Sequence, residues 1–196
     1  WEFGEGWSFT RAEVRITAPV PAVLAALPKA WTPGTTGLAT GKAMFLEIEK
    51  IEDLEAHKGE LAGKILFLSK APERKDPAEP VFTRYDATKL DELADFDIPA
   101  DREGESWREK ARKRRELWLK VADQLVAEGV VATVEVSSFE HGLVRVMGGG
   151  GQGIPGQPLG VPALVMAVEP YERILRLLDE GEEVELAIDV ASRFHR

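Results

Sequence analysis

The chain has 196 residues, 44% of them hydrophobic, and this length and apolar content favour one packed domain with a single core. Its formal net charge of −9 argues against a nucleic acid partner, because phosphates bind a basic face, and disfavours an anionic membrane surface for the same reason. The absence of cysteine leaves the compartment open, and no apolar run approaches the roughly 18 residues of a membrane-spanning helix.

The first half of the chain is predicted to contain strands at 11–17, 41–48 and 64–69 and short helices at 52–58 and 86–95. Residues 11–17 alternate polar and apolar side chains, which is typical of a half-buried strand. Residues 64–69 are almost continuously apolar, which indicates a strand covered on both faces. An aliphatic stretch after Pro21 is assigned no element, and the charged segments 71–80 and 97–105 are predicted to be surface loops.

Residues 30–37 are predicted to form a loop in which Pro33 and Gly34 occupy the centre of a type II turn, with glycine supplying the positive φ. An aromatic side chain beside Pro-Gly offers apolar area on a rigid backbone, so residues 31–36 are expected to form an exposed turn that contacts a partner. The candidate interaction surface consists of Trp31, Gly34, Thr35, Thr36 and His141. The alternative is that Trp31 plugs the core of its own domain.

The best-defined predicted helix covers residues 107–128. Ser106 and Glu109 form a capping-box pattern at its start, and Gly129 follows its end. Its basic stripe consists of Arg108, Lys110, Arg112, Lys113, Arg114, Arg115 and Lys120. We interpret the stripe as a solvated face; the alternative is an electrostatic contact with an acidic neighbouring domain.

The second half is predicted to contain strands at 130–136, 143–147, 161–166 and 183–190 and a helix between Pro170 and Gly181. Residues 183–190 alternate apolar and acidic side chains, which indicates a strand with one wet face. A glycine run at 148–151 follows a predicted strand, as a phosphate-binding loop does. No helix follows the run, so we predict a flexible loop and no nucleotide site.

The sequence contains no recognisable catalytic centre. Its three histidines, His57, His141 and His195, do not stand at spacings that would bring them to one metal. The nearest approach to a nucleophile elbow, around Ser8, lacks the second glycine. We therefore predict no catalytic residue and no metal ligand, and interpret His141, in the polar turn 137–142, as a surface residue.

Several segments, taken in order, resemble a protease-associated domain. They are residues 61–65, the end of the long helix at 128–130, the glycine-rich loop, residues 161–165 and the helix of Tyr171. The segment Ala30-Trp31-Thr32-Pro33-Gly34-Thr35 resembles the version of this domain in bacterial zinc-dependent aminopeptidases, relatives of glutamate carboxypeptidase and the transferrin receptor. The long charged stretch 86–115 departs from the compact form of the family.

The resemblance implies an α/β fold, a swivelling β/β/α domain with mixed sheets, two main helices and a short third. It implies that residues 20–190 are the protease-associated domain, that residues 1–19 are an extension and strand of the parent peptidase, and that residues 191–196 begin the linker to its catalytic domain. Because the chain begins with Trp1, we expect it to be a piece of a longer polypeptide.

The function implied by the resemblance is that of a non-catalytic lid or interaction module over a catalytic domain of the same chain. Two zinc ions are expected in that catalytic domain, and no cofactor is expected in this segment. Peptide substrates are the other expected partners. Relatives are mostly exported, so the resemblance implies a secreted or periplasmic location.

Two other functions stay open at this point. The domain could be inserted in a subtilisin-like protease or serve as a stand-alone sorting or protein-binding module. It could also be a carrier-type swivelling domain, which would need a partner kinase and a phosphorylated His141. The sequence beyond Arg196 separates the two peptidases: a two-zinc enzyme has a His-x-Asp pair and an adjacent Glu-Glu, whereas a subtilisin has its own serine motif.

Overall fold

A computed structural model describes residues 4–73, 82, 84–95, 106–151, 153–157 and 159–195. The chain forms two compact units, a larger one of Trp1–Pro72 with Glu116–Arg196 and a smaller one of Glu73–Arg115. The predicted loop 97–105 lies outside the described residues, as do most residues of the predicted loop 71–80.

The described part of the larger unit contains one sheet of eight strands. The strands are β1 Gly6–Ala18, β2 Ala22–Leu24, β3 Ala26–Pro28, β4 Ala39–Phe45, β5 Lys64–Phe67, β6 Ala132–Val136, β7 Ala163–Met166 and β8 Glu185–His195. The order of the strands in the sheet is β2-β1-β8-β4-β5-β6-β7-β3. The four central strands β4, β5, β6 and β7 are parallel to one another. All other neighbouring pairs are antiparallel. The helices are α1 Ile51–Glu55, α2 Ala87–Ala94, α3 Trp107–Ala127 and α4 Val168–Asp179.

One continuous segment, residues 22–28, pairs with both ends of the sheet. Its first half is β2, which pairs with β1, and its second half is β3, which pairs with β7. Covered and exposed side chains alternate along the whole segment, and the alternation continues across Ala25, which lies between the two strands. Because β1 and β3 also lie against each other, the sheet nearly closes on itself. This is the aliphatic stretch to which the sequence assigned no element.

Strand β5 separates two hydrophobic clusters. Ile65 and Phe67 belong to a sheet–α4 cluster, which contains buried residues from all eight strands together with Tyr171 and Ile174 of α4. Leu66 on the opposite face belongs to a sheet–α3 cluster, whose other buried members are Leu46, Leu54, Leu61, Leu68, Val121, Leu125, Val130 and Val161. The prediction of a strand covered on both faces is therefore confirmed.

The predicted α/β fold is confirmed, with α3 and α4 as the two main helices and α1 and α2 as shorter ones. The predicted mixed strands lie in one sheet rather than in several. Strand β1, within the predicted extension 1–19, and residues 191–195, within the predicted linker, both belong to that sheet. The domain boundaries themselves stay a prediction.

The predicted strand at 143–147 is wrong, because this segment forms an irregular loop. The hydroxyl of Ser137 is buried and donates a hydrogen bond to the carbonyl of Leu143 at 2.8 Å. It also accepts hydrogen bonds from the backbone amides of Phe139 and Arg145, at 3.2 and 3.1 Å. These three bonds hold the chain in a compact turn, and Leu143 and Met147 remain exposed.

The smaller unit contains α2 and the first part of α3. The carboxylate of Asp86 caps α2 by accepting a hydrogen bond from the amide of Lys89 at 2.9 Å, and no residue of this helix is buried. The predicted capping box is confirmed, since the amide of Ser106 donates to the carboxylate of Glu109 and the amide of Glu109 donates to the Ser106 hydroxyl. Such a cap stabilises a helix by about 1 kcal/mol.

Candidate functional site

Strands β1 and β8 extend beyond the rest of the sheet as a two-stranded ribbon, formed by residues 6–13 and 189–195. Their antiparallel pairing runs to Gly6 opposite His195, whereas β4 pairs with β8 only as far as Ile188. The side chains of Arg11 and Asp189 form an ion pair across the ribbon, with 2.9 Å between Nε and Oδ2. Chain attached before β1 and after β8 would therefore leave the domain side by side.

The segment that carries the predicted interaction residues lies against this ribbon. We call residues 31–35 the clamp. The indole Nε1 of Trp31 donates to the carbonyl of Glu5 at 2.8 Å. The carbonyl of Thr32 accepts from the indole of Trp7 at 2.9 Å and from the hydroxyl of Ser192 at 3.1 Å. The clamp thus binds both strands of the ribbon.

Thr35 extends the clamp along β8, where it forms the hydrogen bonds to the backbone that a neighbouring strand would otherwise form. Its amide donates to the carbonyl of Val190 at 2.9 Å, and its hydroxyl accepts from the amide of Val190 at the same distance. Gly34 lies so close that a Cβ would collide with the carbonyl of Val190. Glycine is needed here for this close approach. The predicted type II turn is wrong, because φ of Gly34 is not in the left-handed region.

The glycine run packs around Trp31, which itself has a left-handed backbone with φ of 57°. Residue 149 forms a bridge with Ala30, and a Cβ at Gly149 would lie 2.7 Å from the Trp31 ring. A Cβ at Gly153 would lie 2.6 Å from Nε1 of Trp31. The carbonyl of Gly153 accepts a hydrogen bond from the amide of Glu5 at 2.8 Å. The loop predicted to be flexible therefore packs on the tryptophan and on the start of β1.

The structure places the predicted interaction residues in two groups. In the first, Trp31, Gly34 and Thr35 are half-buried and make the contacts just given within their own domain, and Thr36 is exposed. These contacts agree with the alternative that Trp31 packs against its own domain. An interaction role for this segment stays a prediction.

The second group is His141 alone, which lies on the turn after β6 and is exposed. Its backbone is left-handed, with φ of 65°, and the next amide, of Gly142, donates to the carboxylate of Glu169 at 3.0 Å. Hydrogen bonds from the backbone amide of Glu169 itself, and then from those of Gly142 and His141, lower the pKa of the Glu169 carboxyl. This turn is thus fixed to the first turn of α4.

Sequence reasoning missed the residues that join the clamp to the ribbon, which are Glu5, Trp7, Val190 and Ser192. The sequence did contain one signal for this contact, namely the tryptophan near Pro-Gly and the glycine run in the same chain. An aromatic residue followed by Pro-Gly and a distant run of glycines suit each other, because glycine lets a backbone approach a ring closely.

The described residues include no group of three or more histidine and acidic side chains placed to hold a metal ion. Nothing in this part of the chain therefore fits the two zinc ions implied by the resemblance, and they stay predicted for a catalytic domain outside it. Within the described ranges, no helix combines the length and the apolarity that crossing a membrane requires.

No protein-family model matches the sequence, and no curated protein matches it. Solved structures do. A peptidase M28 precursor from Shewanella amazonensis SB2B superposes with a TM-score of 0.57 at 18% identity, over 97% of this chain and 36% of that one. An aminopeptidase from Aneurinibacillus sp. strain AM-1 superposes with a TM-score of 0.54 at 13% identity, over 97% of this chain and 33% of that one.

The likeness is one of fold. This chain spans about a third of the length of the two peptidases, so each of them contains a domain of this architecture together with much additional chain. A zinc aminopeptidase from Bacillus subtilis gives a TM-score of 0.44, which is too low to support a comparison.

Proposed function

We propose that this chain is the non-catalytic protease-associated domain of a zinc-dependent exopeptidase, acting as a lid or as a module that contacts substrates or partners. The observation that carries the proposal is the comparison with the Shewanella peptidase. Its fold matches 97% of this chain, yet the matched region is only 36% of the peptidase. A chain that corresponds to one domain of a peptidase, and has no recognisable catalytic centre, suits an accessory role.

The geometry of the ribbon supports this role. A domain joined to a larger protein through two paired strands is held at one place, so it can reorient as a body. The clamp bonds the ribbon through Thr32 and Thr35, and Trp31 bonds Glu5, the residue before the ribbon. These bonds fix the direction in which the paired strands leave the sheet. On this proposal, the zinc ions and the peptide bond chemistry belong to the catalytic domain, and the whole protein is exported.

The 196-residue chain by itself is expected to hydrolyse no peptide. The reason is the lack of a metal-ligand set and of a nucleophile with its base in the sequence. The measurement is release of chromophore from aminoacyl and dipeptide substrates with added zinc, with a zinc aminopeptidase as the positive control. Turnover that co-elutes with the chain through successive purification steps would overturn the proposal.

In the longer polypeptide that the proposal implies, replacing residues 6–195 by a short linker is expected to change substrate selection while the zinc site stays assembled. A lid acts on access and orientation rather than on bond breaking. Longer peptides should therefore change in kcat/KM more than a small aminoacyl reporter. The deletion includes β1 because, without β8, this strand would lose its partner.

Zinc content and thermal unfolding of the deletion protein are the controls. A matched variant, Trp31→Phe in the intact protein, keeps the domain but removes the indole donor to Glu5. It should shift the ratio of the two kcat/KM values in the same direction by a smaller factor. An unchanged ratio in both proteins would contradict gating, and a uniform fall with loss of folded protein would indicate a stabilising role instead.

A further inference from the structure

A cavity of about 480 Å³ lies within the larger unit, beside the last turns of α4. Its apolar lining consists of Phe45, Ala71, Leu175 and Leu178. Phe45 ends β4, and Ala71 follows β5, so the cavity opens at the carboxyl ends of two neighbouring parallel strands. Its volume falls within the range of about 300–1,000 Å³ that is typical of ligand sites.

The apolar lining leaves hydrophobic area facing water. Phe45 is 38% exposed, although its neighbour on β5 in the register, Phe67, is fully buried. Leu175 and Leu178 pack against the sheet–α4 cluster with one side and line the cavity with the other. An aromatic ring and two leucines on one concave surface provide a place for a single apolar side chain.

Three charged side chains complete the lining, namely Lys70, Arg176 and Asp179. The two cations already have acidic neighbours: Nζ of Lys70 lies 2.7 Å from Glu47, and Nη1 of Arg176 lies 3.5 Å from Glu172. Within the described residues, Asp179 has no ion pair or hydrogen-bonded side chain partner.

Asp179 is also the last residue of α4, where the helix dipole is negative, and Glu180 and Glu182 follow it. Of the three charged side chains in the lining, Asp179 is therefore the one that no ion pair within the described residues neutralises. Lys70 and Arg176 are the cations of the rim, and Arg176 lies one turn before Asp179 on α4. Their N–H donors suit a neutral carbonyl oxygen.

We infer that this cavity binds the first residue of a peptide that begins with an apolar side chain. The α-ammonium lies against Asp179, the side chain lies between Phe45 and Leu175, and the first carbonyl faces the cations of the rim. A peptide N-terminus carries these three groups on neighbouring atoms, whereas a simple amine lacks the carbonyl. The site belongs to this chain alone, so its test is independent of the lid proposal.

The experiment is a titration of the 196-residue chain with phenylalaninamide, followed by NMR chemical shifts of the backbone amides. We expect saturable shifts at residues 70–71 and 175–179 with a Kd in the millimolar range, as is usual for so small a ligand. N-acetylphenylalaninamide, glycinamide and phenethylamine lack the ammonium, the side chain and the carbonyl respectively. Each should bind at least about 10-fold more weakly, because each loses one of the three contacts.

Two variants locate the site. Asp179→Asn should weaken phenylalaninamide about 10-fold and leave N-acetylphenylalaninamide unchanged, because only the ammonium senses the lost charge. Glu55→Gln, an exposed acid at the end of α1, is the matched control and should leave both affinities unchanged. Ala71→Trp should place an indole ring in the cavity and abolish the shifts by competing with the ligand, with thermal unfolding as the check that this variant is folded.

Three outcomes would overturn the inference. The first is the absence of saturable shifts at about 10 mM phenylalaninamide. The second is equal binding of the acetylated probe. The third is tighter binding of N-acetylphenylalanine, whose free carboxylate would show that the cations of the rim decide the charge of the ligand. If Ala71→Trp does not fold, the probe series and Asp179→Asn still decide among these outcomes.

Discussion

Replacing Tyr171 by alanine is expected to lower the free energy of unfolding by about 3–5 kcal/mol, as for other fully buried aromatic residues. Its side chain is fully buried, and its ring centroid lies 5.0 Å from that of Phe67. Its hydroxyl donates to the carbonyl of Ser69 at 2.7 Å and accepts from the amide of Ser69 at 3.0 Å. Alanine removes the ring from the sheet–α4 cluster and leaves both backbone groups of Ser69 without this partner.

Tyr171→Phe removes the hydroxyl and keeps the ring, so it measures the contribution of the hydroxyl alone. We expect this variant to lower the free energy of unfolding by about 1–3 kcal/mol, because Ser69 is left with unpaired polar groups. Burial raises the pKa of Tyr171 above its ordinary value, so the hydroxyl keeps its proton, and with it the donor to Ser69, into the alkaline range. Urea unfolding of each variant gives the free energies, provided that the slope against urea is unchanged.

The other tyrosine of the chain, Tyr85, is 56% exposed and is the matched control. Tyr85→Ala should change the free energy of unfolding by less than about 0.5 kcal/mol, as is usual for surface substitutions. Similar losses for the two alanine variants would contradict the packing described for α4.

Gly153→Ala is expected to destabilise the chain by about 1–3 kcal/mol more than Gly156→Ala. Both glycines have left-handed backbones, with φ of 62° and 81°, so alanine incurs a comparable conformational penalty at each. They differ in their surroundings. An added Cβ at Gly153 meets the indole of Trp31 at 2.6 Å, whereas nothing lies within 4 Å of one at Gly156. Forced overpacking accounts for the difference.

A double-mutant cycle tests that cause. In a Trp31→Ala background, the penalty of Gly153→Ala should fall toward that of Gly156→Ala, because the colliding ring is gone. The measurement is urea unfolding of the single and double variants. An additive result, in which the Gly153→Ala penalty is the same with and without the ring, would mean that the glycine run does not hold the tryptophan.

Sequence patterns predicted the elements in which apolar and polar side chains are clearly separated along the sequence. Strand β5 was recognisable because its apolar run is continuous, and the structure covers both of its faces. The alternating strand at 183–190 is β8, with Leu186 and Ile188 buried. Its extension to His195 was not recognisable, because residues 192–195 are mostly polar and form strand structure only through pairing with β1.

Other elements depend on contacts between distant parts of the chain. Residues 22–28 alternate, but small alanines give the pattern little contrast, and the pairing that makes β2 and β3 involves both ends of the sheet. The mostly apolar segment 143–147 suggested a strand, yet the buried hydroxyl of Ser137 forms hydrogen bonds with the backbone of this segment instead. Likewise, Trp31 and the glycine run were recognisable only as separate features.

The pairing of β1 with β8 has a consequence for how the protein is made. The two strands are separated by almost the whole sequence, and their contact runs from Ala18 opposite Glu185 to Gly6 opposite His195. A ribosome adds about 5–20 residues per second, so β1 leaves the exit tunnel many seconds before its main partner exists. During that time only β2 and β3 are close to it in sequence. Pairings between distant segments form slowly, so completion of this sheet is expected to be a late step that waits for β8, and nascent β1 needs protection from other chains until then.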